Sequence, residues 1–240
     1  MERTRTLVVS FCALLALAGS AAAQTRFTLE TRVKEDYYGL NNAVFQKGLV
    51  VQSYLHAMYG NGLYMKIGGS LGNHDETIFG NEMEASVGFV GRMQKFTVDM
   101  GMSYYMLQGH DIFVPHLEVG RGFQMARRLT VKPFLRGEFP VPIKEGGPRA
   151  GTFIKGGGEA SLALGERLEV NAKTTFIGDV DGAFGFEPGA HFRQYAGANW
   201  RITRKFTLIL PALTFGAPIS DTNDGREREV VWEGGFRYRF

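Results

Sequence analysis

The chain has 240 residues and a single cysteine, Cys12. No intramolecular disulfide can form, so the fold has to hold without covalent cross-links. Tryptophan occurs twice, histidine five times and proline eight times. The formal net charge is only +3, from 27 Lys and Arg against 24 Asp and Glu, too small a surplus for a nucleic-acid partner to be expected. Beyond the N-terminal segment there is no run of about 18 apolar residues, which excludes a membrane-spanning helix there. The chemistry-bearing motifs are missing too: no phosphate-binding Walker loop, no dinucleotide fingerprint, no H-E-x-x-H and no G-x-S-x-G. His74-Asp75-Glu76 and Asp179-x-Asp181-Gly182 are metal-ligand fragments without the full calcium-loop pattern. No cofactor, no metal and no catalytic residue set is expected.

What is present begins with a targeting segment over residues 1–23. Arg3 and Arg5 form a positive start, Leu7 to Ala18 a short apolar core, and Ala21-Ala22-Ala23 a small-residue cleavage site. Cleavage after Ala23 leaves residues 24–240 as one domain. Cys12 lies within the apolar core behind Phe11, which is too large for a lipoprotein signal.

The rest of the chain alternates. In Phe96 to Leu107, Phe96, Val98, Met100, Met102, Tyr104 and Met106 interleave with Thr97, Asp99, Gly101, Ser103 and Tyr105. In a β-strand such sets point to opposite faces. The last stretch does the same: Val230, Trp232, Phe236, Tyr238 and Phe240 oppose Glu229, Glu233, Arg237 and Arg239. Similar stretches are read over 26–34, 49–59, 63–71, 82–91, 114–125, 129–139, 152–164, 168–177, 185–200 and 206–215. Aromatics on one side and charge on the other demand a hydrocarbon solvent outside and water within. The expected fold is therefore all-β: a single transmembrane antiparallel up-and-down β-barrel of about twelve strands. Ten or fourteen are the alternatives, because Pro133, Pro140 and Pro211 fall inside or at the ends of strands, where proline interrupts the ladder.

Short connections at Gly60–Gly62, Arg92–Lys95, Ala126–Arg128, Gly165–Arg167 and Ile202–Lys205 alternate with longer ones such as those carrying His110-Asp111 and Asp221 to Arg228. Short turns belong on the periplasmic side and long loops outside. The short-turn rim is basic, with Arg92, Lys95, Arg127, Arg128, Arg167, Arg204 and Lys205 against Glu166, and is expected to meet anionic phospholipid headgroups. The long-loop rim is acidic, with Glu35, Asp36, Asp75, Glu76, Asp111, Asp179, Asp181, Asp221 and Asp224, a pattern suited to cations or to ordinary solvated loops. Trp200, Tyr59, Phe96, Phe206 and Phe240 on one side and Trp232, Tyr104, Phe176 and Phe215 on the other outline two aromatic girdles.

The polar parity sets give the expected pore lining. Its acids are Glu30, Glu82, Glu84, Asp99, Glu118, Glu138, Glu159, Glu169 and Glu233. Its bases are Arg32, Lys66, Lys132, Arg136, Lys155, Lys173, Arg193 and Arg237. Glu187, Arg201 and Arg239 extend the same sets. On the lipid side each Lys or Arg would cost about 2–4 kcal/mol at the midplane, so this segregation speaks to topology first. Arg121 is the exception: its parity puts it outward, where it would snorkel to the interface. His56, His116 and His191 fall on strands; His116 and Glu118 share a face two residues apart, a fragment of a base–orienter pair.

The terminal Phe240, preceded by Tyr238 and Phe236 at alternate positions, resembles the C-terminal signature of bacterial outer-membrane barrels. That resemblance implies a last strand read by the barrel-insertion machinery, with Phe236, Tyr238 and Phe240 as the assembly signal. Lys47-Gly48 to Tyr59, Gly62-Leu63-Tyr64 and the F-T-V-D-M-G-M-S-Y-Y run within Glu82 to Tyr105 resemble the proteobacterial porins grouped as TorF-like. This implies an outer-membrane location and a porin-like role, but no substrate and no site residues. The expected function is passive passage of small polar solutes through a mixed-charge lumen. The alternatives are a non-conducting structural or surface-interaction barrel and a lipid-modifying barrel enzyme using His116 or His191.

Overall fold

A computed structural model describes residues 25–38, 44–72, 82–107, 110–143, 149–183, 187–219 and 228–240. The targeting segment, His74-Asp75-Glu76 and Asp221–Asp224 lie outside them. The strands are β1 (Arg26–Lys34), β2 (Tyr37–Tyr38), β3 (Val44–Gln46), β4 (Val50–Met58), β5 (Leu63–Gly72), β6 (Glu82–Met93), β7 (Phe96–Leu107) and β8 (His110–Gly120), followed by β9 (Phe123–Ala126), β10 (Leu129–Glu138), β11 (Val141–Pro142), β12 (Phe153–Leu164), β13 (Leu168–Asp179), β14 (Gly189–Arg201), β15 (Phe206–Pro218) and β16 (Glu229–Arg239).

Twelve of these close on themselves. β1 pairs with β4, each of β5 to β8 pairs with its predecessor, β8 pairs with β10, and β10, β12, β13, β14, β15 and β16 follow in turn; β16 then pairs with β1. All pairings are antiparallel, so the barrel is of the up-and-down kind and leaves no open edge. No helix of the described residues is long and apolar enough to cross a membrane; the crossing elements are strands.

The outer surface is apolar. Ile67, Met83, Met100, Leu135, Phe176, Leu213 and Val230 are each about half or more exposed. Their strand neighbours Ser70, Glu82, Glu84, Ser103, Glu138, Thr175 and Glu233 are buried within. This inverts a water-soluble protein, and it is what a backbone with every ladder bond satisfied needs in hydrocarbon.

The prolines sit where the ladder tolerates them. Pro211 lies in the bulge of β15, where the register against β16 shifts between Ile209 and Ala212. Pro140 follows β10 at its junction with β11. Pro133 faces a broken strand: the expected continuous strand 114–125 is interrupted at Arg121–Gly122, and His110-Asp111, expected in a loop, starts β8 instead. The Arg121 amide donates to the Pro133 carbonyl at 3.1 Å. Proline has no N–H to return, so the ladder skips and resumes at Phe123 opposite Val131. At that break the Arg121 guanidinium rests 4.6 Å from the Phe123 ring centroid and 6.0 Å from that of Phe96, keeping its charge on aromatic faces at the barrel's short-turn end.

Two turn details follow from side-chain chemistry. Gly62 closes the β4–β5 turn at φ +93° beside the Val90 carbonyl, a place for glycine only. Gln94, in the two-residue β6–β7 turn, takes φ 56°, which costs a non-glycine residue about 1 kcal/mol. Gln94→Gly is therefore expected to raise the urea midpoint of the folded barrel slightly; a lowered midpoint would show that the glutamine compensates for its backbone.

Tyr59 departs from its expected place in a girdle. Its ring is buried against Met65, Ala57 and Val87, and its hydroxyl donates to Met65 Sδ at 3.7 Å. Trp200 and Trp232 are each 44% exposed on the outer surface, and Phe206 stacks on Phe236 at 5.9 Å.

Candidate functional site: an asymmetric charged lumen

Period-two alternation turns one side chain in two toward the axis, and the interior they create is not uniform. The wall formed by β4 to β7 is filled. Glu82 accepts from the hydroxyl of Tyr37 at 3.1 Å and from that of Tyr54 at 3.4 Å. Tyr37 reaches there from the β2–β3 hairpin, which thus packs on this wall. Beside it Lys66 Nζ lies 2.5 Å from Glu84, and Glu84 also accepts from Ser86, which is 2.9 Å from Ser103.

The opposite half is hollow. A cavity of about 530 Å³ is lined by residues of β1, β8, β10 and β12 to β16, and by none of β4 to β7. Its bases are Arg32, Lys34, Arg136, Lys155, Lys173 and Arg193; its acids are Asp36, Glu118, Glu138, Glu229 and Glu233. Tyr195, Asn171, Asn199, Thr175 and Thr214 supply neutral hydrogen-bonding groups between them.

Charges meet across strand boundaries. Along the seam where the first and last strands join, Arg237 bonds Glu30 at 2.6 Å, Glu30 bonds Arg32 at 2.7 Å, Arg32 bonds Glu233, and Glu233 bonds Lys34 at 3.0 Å. The register sets these contacts: Glu30 lies opposite Arg237 and Lys34 opposite Glu233. A second ladder crosses β8, β10 and β12. Lys132 bonds Glu118 at 2.9 Å, Arg136 lies 3.6 Å from Glu118 and 2.7 Å from Glu138, and Lys155 bonds Glu138 at 2.6 Å. Lys173 bonds Glu159 at 2.7 Å, and Arg193 approaches Glu229 at 3.6 Å.

Sequence reading passed over several members of this lining. Lys34, Glu229, Tyr54, Tyr64 and Tyr195 share the inward parity of named neighbours and were accessible by the same rule. Tyr37 was not, because it arrives from a loop. Glu169 lies exposed at the short-turn end of β13 and forms no ion pair among the described residues, while Glu187 precedes β14 rather than standing on it. Arg201 turns to the backbone carbonyl of Glu166 in the adjacent turn.

The pairing of His116 with Glu118 does not form, since Glu118 is held by Lys132 and Arg136. His116 instead lies 3.1 Å from the Tyr64 hydroxyl and 3.5 Å from Asp99, and Tyr64 donates to Asp99 at 3.0 Å. No serine joins this trio in the contacts of the described residues. Asp179, expected on a solvated rim, is 3% exposed and accepts from the amides of Gly182 and Ala183 at 3.0 Å each. It shapes a turn under which Phe153, Ile177 and Ala183 pack. Among the described residues no cluster of three or more His, Cys, Asp or Glu could hold a metal ion.

A second hollow of about 670 Å³ opens at the short-turn end beneath the seam. Arg26, Arg204, Lys205, Arg237 and Arg239 line it with a single acid, Glu30; Thr28, His56, Met58, Phe27 and Phe240 complete it.

No family model matches the chain, and no curated protein matches it. Solved structures do. The KdgM porin superposes with a TM-score of 0.60 at 11% identity, over 89% of this chain and 99% of that one. A structure of the KdgM porin in complex with disordered oligogalacturonate gives 0.57 at 11% identity, over 90% and 99%. The NanC porin gives 0.58 at 12% identity, over 88% and 98%. The twelve-stranded barrel of this chain therefore has the fold of these outer-membrane porins.

Proposed function

We propose that this barrel resides in the bacterial outer membrane, with its short turns in the periplasm, and lets small polar solutes pass through the hollow half of its lumen. The observation that carries this reading is the cavity of about 530 Å³ bounded by charges of both signs on the side of the barrel that the β2–β3 hairpin leaves clear. An interior meant only to stiffen the wall would have both halves filled alike.

The charge balance along the path favours one solute class. The two hollows together present eleven bases against six acids. Fields in a low-dielectric channel concentrate the opposite charge, so anionic solutes gain. The KdgM porin, which shares the fold, has been seen with oligogalacturonate, which makes acidic saccharides the first class to test.

Vesicles containing the refolded protein are expected to take up short oligogalacturonates faster than neutral oligosaccharides of equal length. The double substitution Lys155→Glu and Arg193→Glu is expected to reverse that order. Equal uptake of both saccharides, unchanged by the substitutions, would sink the anionic preference; no uptake of either would sink the porin reading.

A further inference from the structure

The bases of the second hollow differ from those of the first in one respect. In the upper lumen Arg32, Lys34, Arg136, Lys155, Lys173 and Arg193 all have carboxylate partners. At the short-turn mouth only Arg237 does, through Glu30; Arg26, Arg204, Lys205 and Arg239 form no ion pair among the described residues. Even with the α-carboxylate of Phe240 counted beside Glu30, five positive charges face two negative ones.

The backbone holds these bases together. The Arg239 amide donates to the Lys205 carbonyl at 2.8 Å, and the Phe240 amide to the Phe27 carbonyl at 3.1 Å. In the turn, Thr203 Oγ1 accepts from the amides of Lys205 and Phe206 at 3.2 and 2.9 Å. Arg26 at the start of β1, Arg204 and Lys205 in the β14–β15 turn and Arg239 at the end of β16 thus converge on one spot.

That spot straddles the wall. Phe27 and Phe240 line it yet belong to the outward parity sets of β1 and β16, and are 43% and 65% exposed on the outer surface. Cations without protein counter-charges, bordered by apolar side chains at the membrane boundary, match a molecule with an anionic phosphate head and acyl chains.

We infer that the periplasmic end of the β1–β16 seam binds the phosphate headgroup of an anionic phospholipid, through Arg26, Arg204, Lys205 and Arg239, and that the bound lipid clamps the first strand to the last. The inference rests on the proposed membrane orientation, which places this end against the phospholipid leaflet. The hollow that a solute would leave by is therefore bordered by lipid on its seam side.

The test compares the full barrel in vesicles of phosphatidylcholine with and without phosphatidylglycerol. Phosphatidylglycerol is expected to raise the urea midpoint of the unsubstituted protein. Arg204→Gln, Lys205→Gln and Arg239→Gln combined should lose that increment, whereas Arg127→Gln with Arg128→Gln, at the β9–β10 turn, should keep it. Native mass spectrometry of the unsubstituted protein is an independent readout, with phosphatidylglycerol retained about tenfold over phosphatidylcholine. It decides the matter if the triple variant fails to insert. Equal increments in both variants, or no lipid preference, would overturn the site. Inorganic phosphate reproducing the shift in phosphatidylcholine vesicles would overturn the lipid as ligand and leave a phosphate-bearing solute in its place. None of these readouts depends on conductance, so failure of the porin reading would be seen separately.

Discussion

Gly235→Ala is expected to weaken closure of the barrel more than any other single methyl group added to the seam. Gly235 lies opposite Arg32 across the β16–β1 junction. A Cβ built there intrudes on the Thr31 carbonyl oxygen and comes within 2.9 Å of the Arg32 Cα. Both are backbone atoms, so neither can step aside as a flexible side chain would. Relief requires β1 and β16 to separate, and overpacking of this kind costs about 3 kcal/mol. Gly158→Ala is the matched control, since a Cβ there meets nothing within 4 Å. Heat-modifiable mobility on gels and urea unfolding in vesicles report the difference: the first variant should lose much of its folded fraction, the second should not. Equal behaviour would mean that the seam is not closed as described.

Glu233→Ala is expected to have the next largest effect. Glu233 is 4% exposed and holds both Arg32 and Lys34. Its removal leaves Lys34 without an ion-pair partner among the described residues, and Arg32 with Glu30 alone. Fully buried pairs cost 3–5 kcal/mol to break and exposed ones about 1 or less. The lumen is partly wet, so a loss of about 2 kcal/mol is expected. Adding Lys34→Ala to Glu233→Ala should recover part of it, because the orphaned cation goes too. Glu159→Ala sets the scale from the other side: Glu159 and Lys173 have side chains 39% and 43% exposed, and that change should cost a few tenths of a kcal/mol. A Glu233→Ala loss no larger than that of Glu159→Ala would reduce the seam ladder to solvated surface charge.

Both predictions concern contacts that single-strand patterns could only partly reveal. Alternation in Phe96–Leu107 and in the last twelve residues was enough for strand type and face, since side-chain direction is local. Strand number followed because turn chemistry at Gly60–Gly62 and Gly165–Arg167 marks reversals locally as well. The break at Arg121 was hidden because its cause, Pro133, lies on the neighbouring strand. Tyr59 left its expected girdle because it follows the last residue of β4 and folds back on Met65.

The lumen was legible as a parity set and not as a map. Alternation names Glu118 as inward, but only the register decides that it meets Lys132 and Arg136 rather than His116. It names Glu30, Arg32 and Glu233 as inward, but not that they form one chain across the closing seam. The asymmetry was out of reach altogether, because it depends on the β2–β3 hairpin and on Tyr37 reaching Glu82.

Single-channel recording of the refolded protein in a planar bilayer shows whether the hollow half of this barrel conducts. Stable conductance with an anion-favouring reversal potential in a salt gradient, driven toward cations by Lys155→Glu with Arg193→Glu, is the predicted result. The absence of any stable conductance from folded, membrane-inserted protein would contradict it.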